Sequence, residues 1–144
     1  MTDGARRHVW TAANAVMLLA LAFSVVVQFN DADPWLWVAV YGAAGLVCAL
    51  ELRRRTRPAF AAIVAIVALG WAATIAPRVI GTVPFTEMFA EFEMQNIGVE
   101  ESREIYVLLI VGAWMAPVTV AAWRRRVAGH VSAQRAQAPE HELA

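Results

Sequence analysis

Two short stretches of this chain concentrate side-chain oxygens, the ligand type that hard cations such as Ca²⁺ and Mg²⁺ require. The first is Gln28-Phe29-Asn30-Asp31-Ala32-Asp33-Pro34, followed by Trp37 and Tyr41. The second is Glu100-Glu101-Ser102-Arg103-Glu104. Asp31, Asp33, Glu101 and Glu104 are the candidate metal ligands. Arg103 stands among them and offers another chemistry, because a guanidinium can pair with carboxylates or grip an anionic headgroup bidentately. It competes for the same oxygens, so a structural salt-bridge network is preferred to a metal site.

Helix-end duties account for part of this polarity. Asn30 can take the left-handed conformation that ends a helix. Asp33 before Pro34 reads as an N-cap followed by a first-turn proline. Glu100 and Glu101 suit the positive end of a helix dipole. Asp31 and Glu104 are surplus to those duties. Asp33, Trp37 and Tyr41 are spaced by four and share one helix face. A buried tyrosine hydroxyl needs a partner, so that face is expected to point inward.

Catalysis needs more than carboxylates. His8, His130 and His141 fall on terminal segments, away from both clusters, and Ser24 and Ser102 have no histidine nearby. No nucleophile elbow, zinc-binding His pair or phosphate loop occurs. Metal-assisted hydrolysis by carboxylates alone stays open. No cofactor is expected, and the chain reads as non-enzymatic.

The elements that must position these clusters are membrane helices. Charge-free stretches cover residues 9–28, 34–50, 58–77 and 105–123. A charge at the bilayer centre costs about 2.5–3.5 kcal/mol on insertion scales, so such gaps signal spans. The 144 residues are 60% hydrophobic, against roughly 45–50% in soluble domains. The expected fold is an all-α membrane protein, an antiparallel four-helix transmembrane bundle with spans at about 9–28, 34–51, 58–77 and 104–123. Residues 1–8 form an N-terminal tail, 9–126 the transmembrane domain, and 127–144 a polar tail expected to be disordered. Phe85, Met88, Phe89 and Phe92 recur at helical spacing among Glu87, Glu91 and Glu93, which predicts a short amphipathic helix in the outer loop. Ala61, Ala65, Ala68 and Ala72 form a small-residue packing seam, and Ala39, Gly42, Ala43 and Gly45 make span two slender. Pro117 should bend span four or unpair a carbonyl.

Charge sets the topology. Arg6 and Arg7, then Arg53, Arg54, Arg55 and Arg57, then Arg124, Arg125 and Arg126 fall on one side of a four-span path. The positive-inside rule places both termini in the cytoplasm and the two acidic connections outside. Glu51, beside Arg53 to Arg55, reads as an interfacial ion-pair partner. An N-terminal signal peptide is disfavoured, because the residues after the apolar core are Gln28, Phe29, Asn30 and Asp31 rather than small ones. All twelve basic residues are arginine, which with abundant alanine suggests a GC-rich bacterial genome and an inner-membrane location. Net charge is zero, which argues against nucleic acid as a partner. The lone Cys48 excludes an intramolecular disulfide. The expected partners are the lipid bilayer and a membrane protein or a second copy.

The stretch 28–41, QFNDADPWLWVAVY, resembles the Q-x-N-D-P-D-x-x-x-W-x-x-x-Y signature of the transmembrane protein 220 family. EESREIYVLLIVGAW, residues 100–114, resembles its E-E-x-R-E segment leading into the last span. Length and four-span plan agree. Ala32 replaces the usual proline, and Tyr106 and Val107 stand where that family has a Gly-Leu pair. The resemblance implies a small integral membrane protein and no established activity.

Overall fold

The computed structural model describes residues 2–30, 34–79 and 97–137. Among them are four long helices and no strand: α1 (Asp3–Val27), α2 (Pro34–Leu52), α3 (Pro58–Val79) and α4 (Ile97–Gln137). All four are long and apolar enough to cross a bilayer. The expected all-α four-helix bundle is the observed architecture. The amphipathic helix expected near Phe85 to Phe92 lies outside the described residues.

Local chemistry sets the helix ends. The Thr2 hydroxyl accepts from the Ala5 N–H at 3.4 Å, so α1 begins six residues before the charge-free stretch does. At its other end, Asn30 does not turn left-handed. A single 3₁₀ turn, Gln28–Asn30, tightens the helix, and the Gln28 N–H donates to the carbonyls of Ser24 and Val26. Such tightening satisfies terminal carbonyls that an α-helix leaves free. Pro34 and Pro58 open α2 and α3, where a missing N–H removes nothing useful.

α2 ends in a Schellman motif. The Arg54 N–H donates to the Glu51 carbonyl and the Arg55 N–H to the Leu50 carbonyl, both at 2.8 Å. Arg54 has φ 55°, the one positive value among described non-glycine residues. Glycine usually occupies this left-handed position. The reversal then buries Thr56, whose hydroxyl donates to the Val47 carbonyl at 3.5 Å.

α4 runs through 41 residues. It continues to Gln137 where a disordered tail was expected from residue 127, and residues 138–144 lie outside the description. Extending an existing helix avoids nucleation, and Ala, Arg and Gln are good helix formers. Pro117 lies within α4 and leaves the helix unbroken.

α1 pairs chiefly with α2 and α3 with α4; α2 touches both α3 and α4 and so joins the two hairpins. The alanine seam of α3 is buried throughout, as are Leu108, Val111, Met115 and Val118 of α4, spaced three, four and three. Gly112 lies against Leu69, where a β-carbon would collide with the leucine side chain. In α2 only part of the slender stretch serves close approach. Gly45 meets Leu18 and Leu21 of α1, whereas Gly42 faces open space. Trp37 stacks on Trp71 of α3 at 4.8 Å between ring centroids, and on Tyr41 at 5.7 Å.

Candidate functional site

Trp37 and Tyr41 point inward as their spacing predicts, each less than a tenth exposed. Gln28 and Glu104 are half-buried. Asp31 and Asp33 lie outside the described residues, as do the side chains of Asn30, Glu100, Glu101 and Arg103. The expected contact between Arg103 and the carboxylates therefore lies outside the description. Among the described residues no three of His, Cys, Asp and Glu come together.

The polar constellation that the structure does describe sits at the opposite end of the bundle, where the arginine-rich segments gather. It forms around Glu51, 4% exposed in the last turn of α2. The Arg125 guanidinium of α4 donates to both its oxygens, Nη1 to Oε1 at 2.8 Å and Nη2 to Oε2 at 2.5 Å. The Trp10 indole N–H of α1 donates to Oε1 at 3.0 Å. One carboxylate thus ties three helices. Its partner is Arg125, seventy-four residues away, rather than the nearby Arg53 to Arg55. The reason is rotational. Trp37, Tyr41, Ala44, Cys48 and Glu51 recur at four, three, four and three, so Glu51 lies on the buried face of α2, while Arg53 to Arg55 belong to the exposed reversal. That register is visible in the sequence and could have shown that Glu51 needs a partner from another helix.

Asn14 lies one turn deeper on α1 and is fully buried. Its Nδ2 donates to the Trp10 carbonyl at 2.9 Å. Its Oδ1 has no partner. Trp10 also stacks on Trp114 of α4, with centroids 5.7 Å apart and 17° between ring planes, which bridges α1 to α4.

Two cavities flank this clasp. A polar one of about 40 Å³ is lined by Arg7, Trp10, Asn14, Glu51, Arg54 and Arg125, among others. That is room for a few waters, each needing about 10–15 Å³. The second, about 450 Å³ and more open, lies between α1 and α4 against Trp10, Pro117, Val120, Ala121, Arg124 and Arg125. Chemically, the clasp is a buried ion pair whose carboxylate accepts three hydrogen bonds.

Four helices long and apolar enough to cross a bilayer define a multi-pass helical membrane protein. The chain belongs to the family described as "Transmembrane family 220, helix", whose model matches residues 19–120, well over half its length. The matched region holds both motif stretches and Glu51, while Trp10, Asn14 and Arg125 lie outside it. No curated protein and no solved structure matches the chain.

Proposed function

We propose that this is a non-enzymatic membrane protein that acts through helix packing or the binding of a partner. The observation that carries this reading is the state of Glu51. Arg125 donates to both its oxygens and Trp10 to one of them, so the carboxylate serves to hold three helices together. The basic segments at one end support an orientation with both termini cytoplasmic. The arginine-only composition supports a bacterial inner membrane. In this reading the outer end carries a polar cap formed by the Gln28–Asp33 and Glu100–Glu104 stretches above Trp37 and Tyr41. The second reading keeps the carboxylates of these two stretches as a site, enzymatic or sensory, for a divalent cation or lipid headgroup.

The test replaces the clasp by an apolar pair, Glu51→Leu with Arg125→Met. Buried ion pairs can be exchanged for well-packed apolar residues at little loss of stability. The double variant is expected to accumulate in membranes and to complement a chromosomal deletion as the native chain does. A variant that folds but fails to complement would contradict a purely structural role for the clasp.

A further inference from the structure

The two cavities at the basic end share Trp10 and Arg125, and together they are amphipathic. We propose that this end binds a phospholipid with an anionic phosphate and a hydroxyl-bearing headgroup, the phosphatidylglycerol class. Arg7 and Arg54 take the phosphate, Asn14 Oδ1 accepts from the hydroxyl, and an acyl chain lies along Pro117, Val120 and Ala121. This inference is independent of the function proposed above.

Charge identifies the anion. Three arginines and one glutamate line the polar cavity, and Glu51 is already committed to Arg125. Among the described residues Arg7 and Arg54 have no carboxylate partner. A metal cation or a headgroup ammonium would meet that excess positive charge, whereas a phosphate diester neutralises it through charge-assisted hydrogen bonds.

Asn14 identifies the second group. The bond from Nδ2 to the Trp10 carbonyl fixes which way the amide points. Oδ1 is then a buried acceptor lacking a donor, a condition that ordinarily costs about 1–3 kcal/mol. A ligand that brings an O–H or N–H as well as an anion satisfies this acceptor directly. The neutral hydroxyl of a polyol headgroup supplies it without adding positive charge.

Backbone conformation and shape agree. Arg54 holds a left-handed conformation at a position that glycine would fill without strain, and it is one of the residues lining the cavity. Strain of this kind concentrates at ligand sites. The neighbouring cleft extends from Arg125 to Pro117, about 12 Å of helix at 1.5 Å per residue. Its intervening walls, Val120 and Ala121, suit an acyl chain and offer nothing to a soluble phosphate.

The test is native mass spectrometry of the full chain in detergent, with phosphatidylglycerol, phosphatidic acid, phosphatidylethanolamine and phosphatidylcholine offered at equal concentration. Phosphatidylglycerol should be retained about tenfold over phosphatidylcholine, the effect expected from charge-assisted contacts, and more strongly than the other two lipids. Arg54→Gly should keep or raise the thermal midpoint yet lower that retention about tenfold, and Arg7→Gln should lower it with the midpoint unchanged. Asn14→Ala should abolish the preference over phosphatidic acid, which lacks the hydroxyl. Soluble glycerol phosphate should not displace the lipid at equal concentration. Equal retention of phosphatidylglycerol and phosphatidylcholine would overturn the proposal. So would unchanged retention in the Arg7→Gln, Arg54→Gly double variant, a preference for the ethanolamine lipid, native retention of phosphatidic acid equal to phosphatidylglycerol, or displacement by glycerol phosphate.

Discussion

Glu51 is held differently from its partner, and the asymmetry predicts what each substitution does. Its side chain is 2% exposed, while that of Arg125 is 32% exposed. Removing Arg125 strands a buried carboxylate; removing Glu51 leaves a cation that can turn toward water. Breaking a buried pair by deleting one member typically costs about 3–5 kcal/mol. Arg125→Ala should approach that range, and Glu51→Ala should lose clearly less. Thermal unfolding of the two variants in one detergent measures the difference, and equal losses would contradict it. Arg54 gives a second prediction at this scale. Its φ of 55° is costly for any residue with a β-carbon, by roughly 1–2 kcal/mol. Arg54→Gly should therefore stabilise the protein by about 1 kcal/mol, whereas Arg54→Val should destabilise it. Unfolding midpoints of both variants should move in opposite directions.

Helix pairing turns on a few close approaches, and that between α3 and α4 is the most exposed to substitution. At Gly112 a β-carbon would overlap Leu69. Gly112→Val should cost about 1–3 kcal/mol through overpacking. Leu69→Ala should recover much of the loss by clearing the space, a coupling that a double-mutant cycle would measure; strictly additive losses would show that the contact is not limiting. The spans themselves were legible in the sequence because the bilayer excludes charge, and charge gaps report its thickness directly. Helix length was not legible by the same route. α1 starts at Asp3 and α4 persists to Gln137 because caps and propensity govern a helix in water, where hydropathy carries no signal. The inward faces of Trp37 and Tyr41 followed from their spacing together with the tyrosine hydroxyl's need for a partner. The partner of Glu51 did not, because sequence periodicity fixes which face of α2 is buried but not which helix covers it. Asn14 has the same difficulty, since an isolated amide in an apolar run says nothing about the cavity beside it.

At the scale of the whole molecule, the two hairpins meet through α2 and are clasped at the basic end by side chains from α1, α2 and α4. Because Trp10, Glu51 and Arg125 converge there, the start of α1, the end of α2 and the later part of α4 lie at one level, with the arginine-rich reversal beside them. α4 is 41 residues long, about 60 Å at helical rise, roughly twice the thickness of a bilayer's hydrocarbon core. Its surplus beyond Trp123, carrying Arg124, Arg125, Arg126 and Arg135, must stand outside the hydrocarbon at the basic end. The positive-inside rule predicts a cytoplasmic location for that end. Reporter fusions after Arg57 and after Arg126 should therefore read cytoplasmic, and one near Gln95 external. Trypsin supplies an independent reading, because the four arginines of that surplus are either exposed or half-buried. In sealed vesicles with the cytoplasmic face inward the stalk should resist trypsin, and inverted vesicles should lose it at Arg126 or Arg135. Cleavage of the right-side-out vesicles, or an external signal from the Arg57 fusion, would reverse the orientation. The hydroxyl-bearing lipid would then have to be sought in the opposite leaflet, since Arg7, Arg54 and Asn14 turn over with the stalk.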